Sequence, residues 1–258
     1  MIVNWVELQK ALSPLKDYED LCKRFRVSFS YPFVLQSFNF TPSEMIDFTH
    51  KLLGGDNRSR YTEYESLLVK IFTDLQHAGI KDIMEFTERT ASREKFQIFT
   101  QQCELEPSGT IIALKYLVYW FVPQEKYLSG LVKSDTSIMD AIKVLNVSGL
   151  RTNLELLQAG LTPDGRAALV EKTGLVPEVI LDLVNRADFS RMPWSSKATI
   201  SNIIGAGYGS IAQLADADPD QLYADFFNYG KSIGKNLKLG NEIENNYRIA
   251  RIIPKIVR

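Results

Sequence analysis

The sequence predicts an all-α protein. Apolar residues recur at helical spacing, as they do along Leu67, Leu68, Ile71, Phe72 and Leu75. No segment alternates convincingly between apolar and polar residues, which is the pattern of a half-buried strand. Signals that start helices also recur along the chain. We therefore expect about ten or more short helices and essentially no sheet.

Four segments carry the residues that begin a helix. A Ser, Thr, Asp or Asn side chain accepts a hydrogen bond from a free backbone N–H of the first turn, and a following proline supplies the φ angle that the helix needs. After Thr41, Glu44 is placed to return that bond, which makes a capping box. The predicted starts are Ser13–Pro14, Thr41–Glu44, Thr162–Asp164 and, without a capping hydroxyl, Val176–Glu178.

A weak internal repeat has an offset of 70 residues. Few of its positions are identical, but the spacing is kept: Gly79, Phe86, Phe99, Leu105, Pro107 and Pro123 recur as Gly149, Leu156, Leu169, Leu175, Pro177 and Pro193. A third copy of the opening occurs at Gly207. Each opening glycine is placed to end a helix in the left-handed conformation, which glycine adopts without a Cβ penalty. A short apolar segment follows each glycine: Ile83–Phe86, Leu154–Leu157 and Ile211–Leu214.

The charge of the chain is nearly balanced, with a formal net charge of -1 and an isoelectric point of about 6.2. No global basic field attracts the protein to nucleic acid or to an anionic membrane, so any such contact must be local. Residues 231–258 form the one clearly basic segment, with seven basic and two acidic side chains. Lys231, Lys235 and Lys238 share a face if this segment is helical. Its glycines argue against a long helix, and we expect a basic C-terminal tail.

Several function classes lack their signatures. The two cysteines and two histidines lack the local pairing of a metal site, and 45% hydrophobic residues indicate a folded core rather than disorder. No Gly-x-Ser-x-Gly elbow and no phosphate-binding Gly-Lys-Ser/Thr loop is present. We predict no enzyme activity, no cofactor and no metal. The start of the chain does not resemble a signal peptide, and the longest apolar stretch, Ile111–Val122, is too short to span a bilayer. We expect no membrane contact and a cytoplasmic location.

Three other segments have two interpretations each. Gly205–Ser210 resembles a dinucleotide-binding loop, but a helix C-cap followed by a turn explains it better, because the third glycine is missing. The acidic residues Asp216, Asp218 and Asp220 suggest a cation site or, more simply, the start of a helix. The aromatic run Tyr116–Phe121 could stack on bases, yet its apolar surroundings favour a core helix.

One stretch of the sequence resembles a known family. It begins with Val144–Thr152, Leu156–Leu157 and Thr162–Arg166 and continues with Val184–Met192, in which Asn185-Arg186-Ala187-Asp188 is the most specific element. These residues resemble domain-of-unknown-function family 4332 over about residues 137–227. The family is similar to tandem helix-hairpin-helix domains. The resemblance implies tandem helix-hairpin-helix-like repeats after an N-terminal helical region and, by analogy, DNA binding without sequence specificity.

The candidate contacts with nucleic acid are the helix starts before two of the glycines. A DNA-binding hairpin presents backbone N–H groups at a helix N-terminus to a phosphate. Neither segment here contains the hairpin glycine, and Asp135 would repel a phosphate at the first. Serines and lysines supply the alternative contacts, and we predict the nucleic-acid-binding set Lys133, Ser134, Ser195, Ser196, Lys197, Lys231, Lys235 and Lys238.

The chain is thus predicted to be a non-catalytic binding module. Its partner would be a DNA or RNA backbone or, alternatively, another protein, if the degenerate hairpins form an interaction or scaffold module that does not bind nucleic acid. The expected organisation is an N-terminal helical region at residues 1–60, a helical unit with a degenerate repeat at 61–136, a helix-hairpin-helix-like domain at 137–230, and the basic tail at 231–258.

Overall fold

The all-α prediction is confirmed over the part of the chain that the structure describes. The computed structural model describes residues 3–54, 59–133, 135–193, 195–235, 237 and 241–258. These residues form sixteen α-helices and no strand, with one isolated β-bridge between Tyr127 and Thr152. None of the described helices is both long and apolar enough to cross a membrane. The chain divides into an N-terminal unit, Met1–Val122, and a C-terminal unit, Pro123–Arg258.

The N-terminal unit is built around α4, α5 and α8. Its helices are α1 Trp5–Leu12, α2 Tyr18–Ser28, α3 Pro32–Ser37, α4 Pro42–Leu53, α5 Ser59–His77, α6 Ile83–Arg89, α7 Arg93–Gln102 and α8 Pro107–Tyr116. A π-helical turn, Leu117–Phe121, continues α8. Helix α5 packs on α4, and α8 packs on both α1 and α5. Tyr116 and Phe121 are buried with ring centroids 5.3 Å apart, so these two aromatic side chains belong to the core.

The C-terminal unit surrounds α12. It begins with a 3-10 turn, Leu128–Leu131, and continues with α9 Thr136–Val147, α10 Asn153–Gly160, α11 Pro163–Thr173, α12 Pro177–Phe189, α13 Lys197–Gly205, α14 Ile211–Ala215, α15 Pro219–Ser232 and α16 Asn241–Ala250. Helix α12 contacts α9, α10, α11 and α14. Ile180, Leu183 and Val184 of α12 are completely buried, as their helical spacing predicts.

Most of the predicted helix starts are confirmed. Thr41 and Glu44 form a capping box at α4, and Thr162 caps α11. Helix α12 begins with Pro177 after Val176, without a side-chain cap. The prediction at Ser13–Pro14 is wrong: Ser13 ends α1, and the next helix begins at Tyr18. The side chain of Asp17 accepts a hydrogen bond from Asp20 N–H and caps that helix, so the cap lies three residues beyond Pro14.

The three opening glycines end helices in the left-handed conformation, as predicted. Their φ angles are 74° at Gly79, 92° at Gly149 and 103° at Gly207. In each case the next residue's N–H donates to a carbonyl five residues earlier: Ile80 to Leu75, Leu150 to Leu145 and Tyr208 to Ile203. The residue that caps the next helix lies three residues after each glycine, and these capping residues are Asp82, Thr152 and Ser210. The same short sequence pattern thus produces the same corner three times.

The offset of 70 residues extends to whole helices. Helices α6, α7 and α8 begin at residues 83, 93 and 107, and helices α10, α11 and α12 begin at 153, 163 and 177. The residue that joins the second and third helix of each set is left-handed, with φ 52° at Glu104 and 69° at Gly174. Glu104 is the only described non-glycine residue with a positive φ, so the first set has a strained residue where the second has glycine.

Replacing Glu104 by glycine is expected to stabilise the protein by roughly 0.5–1 kcal/mol. The left-handed conformation costs an ordinary residue more than it costs glycine, and the exposed Glu104 side chain contributes little packing. Gly174→Ala is the matched control and should destabilise by a similar amount. Urea unfolding of the two variants gives both values. A loss of stability in Glu104→Gly would contradict the assignment of strain to this position.

The compact units are not divided at the predicted boundaries after residues 60, 136 and 230. The first predicted boundary falls inside α5, which packs on α4, and the division lies between Val122 and Pro123. The segment predicted as a basic tail also differs, because α16 and the residues after it pack within the C-terminal unit. Ile249, Ile253 and Ile256 are buried, and Arg258 N–H donates to Leu161 O at 3.0 Å. The prediction of a tail rested on the charges of this segment and did not consider its apolar side chains. The burial of those side chains anchors the segment.

Candidate nucleic-acid interface

The connection between α12 and α13 is held by the half-buried Lys126. The Lys126 ammonium donates to Ser190 O at 2.7 Å and to Ser195 O at 3.3 Å. These carbonyls belong to the two ends of the connection, so one side chain ties the end of α12 to the approach to α13. Burial lowers the pKa of Lys126 to about 8, because the charged form is poorly solvated there.

Asn153 supports the same connection. Its side-chain amide donates to Gln124 O at 3.0 Å and to Ser190 Oγ at 2.9 Å, and its Oδ1 accepts from Lys126 N–H at 2.7 Å. Ser190 Oγ in turn donates to Ala187 O at 2.7 Å. Asn153 is completely buried, so each of these bonds forms away from water, where an unmade bond would be costly. The network fixes the backbone of the connection before any ligand binds.

A buried ion pair lies at the start of the connection. Arg191 Nε donates to Asp188 Oδ1 at 2.7 Å, and the guanidinium also donates to Pro254 O at 3.0 Å. The side chains of Arg191 and Asp188 are 1% and 3% exposed. The pair therefore links the end of α12 to the segment that follows α16, and its charges are not available to a ligand.

The outer side of the connection presents the first turn of α13. Ser196 is exposed and caps the helix, its Oγ accepting from Thr199 N–H at 3.1 Å. Lys197, the first residue of the helix, is also exposed. The backbone N–H groups of Lys197 and Ala198 have no acceptor within the helix, because no preceding turn exists. Together with the helix dipole and the Lys197 charge, these two amides favour an anion at this position.

Residues 137–239 match the family model described as Domain of unknown function (DUF4332). The segment is similar to that family, and we call residues 137–239 the DUF4332 region. The resemblance predicted from Val144–Met192 is thereby confirmed, and the match extends twelve residues beyond its predicted end at Phe227. No curated protein and no solved structure matches the chain.

The DUF4332 region contains Ser195, Ser196 and Lys197, which the structure brings to one helix start. The structure corrects the prediction that Ser195 contacts nucleic acid. Its side chain is buried, and its Oγ has no hydrogen-bond partner among the described residues. It cannot contact a phosphate at the surface, because the chain turns Ser195 inward where its carbonyl meets Lys126. Ser196 and Lys197 remain candidates, and Trp194 between Pro193 and Ser195 lies outside the described residues.

The first predicted segment, at Lys133 and Ser134, precedes the DUF4332 region. Lys133 is exposed, and Ser134 lies outside the described residues. Asp135 caps α9, accepting from Ile138 N–H at 3.2 Å and from Ser137 Oγ at 2.8 Å. The hydrogen bond from Ser137 is the main cause that lowers the pKa of Asp135, which keeps this carboxylate ionised at the helix start. That negative charge disfavours a phosphate there.

The predicted lysines near the end of the DUF4332 region do not share a helical face. Helix α15 ends at Ser232, and Gly234 is left-handed with φ 65°, so Lys235 lies beyond the helix. Lys231 and Lys235 are both exposed, and the Lys231 ammonium lies 4.3 Å from the Phe227 ring centroid. Lys238 lies outside the described residues. The glycine that the sequence analysis weighed against a long helix is the residue that ends it.

The sequence analysis missed the residues that hold the site. Lys126 precedes the DUF4332 region, and Asn153 lies inside it directly after the capping Thr152. Neither is part of a motif with a known spacing. In the Asn185–Asp188 element, recognised as specific to the family, the last three residues are buried: Arg186 pairs with Asp182 at 2.6 Å, and Asp188 pairs with Arg191. The charges of this element are therefore engaged within the protein.

Proposed function

We propose that the protein is a non-catalytic binding module whose C-terminal unit holds a nucleic-acid backbone without reading the base sequence. The observation that carries the proposal is the exposed start of α13, where Lys197 and two backbone amides without an acceptor among the described residues stand on a connection that Lys126 holds. A fixed backbone lowers the entropic cost of binding, because the amides are held in position before a phosphate arrives.

The contacts of this module are with phosphate rather than with bases. Lys197 is a flexible point charge, and backbone N–H groups carry no information on base identity. In this proposal the helix pair α12–α13 acts as a degenerate helix-hairpin-helix element that uses the Ser196 cap and Lys197 in place of the hairpin glycine. The exposed Lys133, Lys231 and Lys235 add long-range attraction to a chain that is otherwise nearly neutral.

A titration of a fluorescently labelled DNA duplex, followed by anisotropy, tests this function. We expect binding at about 50 mM salt that weakens with a slope of roughly two to five phosphates as salt rises. Lys197→Ala should weaken binding several-fold. Lys197→Pro should weaken it further, because proline also removes the backbone N–H while fitting the extended Ser196, whose ψ is 163°.

The control is Lys16→Glu, which changes an exposed charge in the N-terminal unit and should leave affinity nearly unchanged. Equal affinity of the wild type, Lys197→Ala and Lys197→Pro would remove α13 from the proposal. A complete lack of binding at about 50 mM salt would overturn nucleic-acid binding altogether.

A protein-interaction module is the second candidate, and one surface favours it. Val147 at the end of α9 is 90% exposed, and Tyr127 is 73% exposed. Both line a shallow depression together with Ser129 and Arg151. Large apolar side chains that are so exposed are typical anchors of protein interfaces. The titration separates the two candidates, because an interaction module of this kind binds no duplex at low salt.

A further inference from the structure

An apolar cavity of about 290 Å³ lies inside the N-terminal unit. Helix α2 forms one wall with Leu21, Cys22 and Phe25, and the segment from Met84 to Ala91 forms the opposite wall. Leu114 of α8 also lines it. The volume is close to the lower end of the range for small-molecule sites, roughly 300–1,000 Å³. It also exceeds the engineered cavities of about 150 Å³ that bind benzene, so it is larger than an ordinary packing defect.

The polar groups along the cavity are already paired within the protein. The Tyr18 hydroxyl donates to Thr90 O at 2.5 Å, and the Cys22 thiol lies 3.8 Å from the same carbonyl. Thr87 Oγ1 donates to Met84 O at 3.0 Å. A polar ligand would find no unsatisfied group among these side chains, whereas an apolar ligand would gain the contacts that the empty space lacks.

The mouth of the cavity carries both signs of charge. Arg26 and Glu88 are exposed there, and the Arg26 guanidinium is engaged by Glu19 at 2.6 Å. Such an arrangement attracts neither an anion nor a cation strongly, because the opposing charges screen one another and water screens both. The ligand's binding energy must therefore come from its apolar part.

We propose that this cavity binds the alkyl or aryl body of a small amphipathic molecule, whatever the charge of its headgroup. The ligand would lie between α2 and α6, with any hydroxyl at the mouth in contact with water. This site is independent of the proposed nucleic-acid contact, because all of its lining residues belong to the N-terminal unit.

Calorimetric titration of the full chain with decanol is the first test. We expect saturable binding to one site in the wild type and in Ala91→Ser. Ala91→Trp should weaken the affinity at least about tenfold, because an indole at the exposed mouth competes for the cavity. Decanoate should bind about as well as decanol. Absence of saturable binding to the wild type, or binding of decanoate alone, would overturn the assignment.

Thiol protection supplies a second test that needs no substitution. Cys22 lines the cavity and Cys103 does not, so maleimide labelling of both thiols in one sample provides an internal control. Saturating decanol should slow the labelling of Cys22 at least about fivefold and leave Cys103 unchanged. Equal effects on the two thiols would show that decanol does not occupy the cavity beside Cys22.

Discussion

Replacing Asp188 by alanine is expected to lower the free energy of unfolding by about 3–5 kcal/mol. The carboxylate and its partner Arg191 are almost completely buried. Removing Asp188 leaves a guanidinium without a counter-charge in a medium that solvates it poorly, and arginine does not lose its proton to escape that cost. The loss should also loosen the segment after α16, because Arg191 donates to Pro254 O.

Two further variants make this measurement specific. Asp140→Ala breaks an exposed pair with Lys143 and should cost less than about 1 kcal/mol. The double variant Asp188→Leu with Arg191→Met removes both buried charges and should be less destabilised than Asp188→Ala alone. Urea unfolding at neutral pH compares all three. A cost for Asp188→Ala no larger than that for Asp140→Ala would show that the Arg191 charge is not buried in solution.

The second large effect is a rise in stability at alkaline pH that depends on Lys126. Its pKa is about 8 in the folded protein, below the value of about 10.4 for an exposed lysine in the unfolded chain. Between these two values the unfolded chain binds more protons than the folded protein, so the free energy of unfolding increases as pH rises. Below about pH 8 both states are protonated and this contribution is flat.

We expect Lys126 to add about 1.5 kcal/mol between about pH 8 and about pH 9.5. Lys126→Met, which keeps the length of the side chain without its charge, should lack this rise. Burial raises the pKa of Cys22 to about 11 and that of Tyr64 to about 12, and both shifts reduce stability as pH increases. The informative quantity is therefore the difference between the wild-type and Lys126→Met curves. Parallel curves would show that Lys126 is solvated in the folded protein.

The two effects concern one structural feature, the rigid connection beneath Ser196 and Lys197. Lys126 holds its backbone carbonyls, and Asp188 with Arg191 holds the end of α12. If nucleic-acid binding depends on amides that are in position beforehand, Lys126→Met should weaken duplex binding even though Lys126 touches no ligand. Lys126→Met would then change both the stability of the protein and its affinity for the duplex. The contribution of Lys197 to affinity would remain separate from this effect.

The sequence predicted helix ends best where the groups that form the end lie within a few residues of each other. Thr41 with Glu44, Thr162 with Pro163, and the glycines of the three corners act within a few residues of themselves, so spacing alone identifies them. The exception was Ser13–Pro14, where a sound local signal ended one helix instead of starting the next. The offset of 70 residues was likewise visible, because equal lengths of chain between caps place helix starts at equal distances.

The candidate site could be predicted only in part, because surface position depends on the whole fold. Ser195 and Ser196 are neighbours of one type, yet one is buried and the other exposed, and no local pattern distinguishes them. Their difference arises because the carbonyl of Ser195 meets Lys126, which is 69 residues earlier in the chain. Lys133 and Lys197 both precede or begin a helix, but the ionised Asp135 stands beside only the first.

The sequence by itself determined that this is an all-α chain, where several of its helices begin, how three of its corners turn, and which segment matches DUF4332. Hydrogen bonds between close neighbours and the steric freedom of glycine act at short range, so their effects can be predicted from the sequence. Tertiary structure decided that Asn153, Asp188 and Arg191 are interior groups, that the half-buried Lys126 bonds two carbonyls of the connection, that Ser195 is turned inward, and that the basic C-terminal segment is anchored. Burial and long-range pairing bring together residues far apart in sequence, and only the folded chain sets their distances.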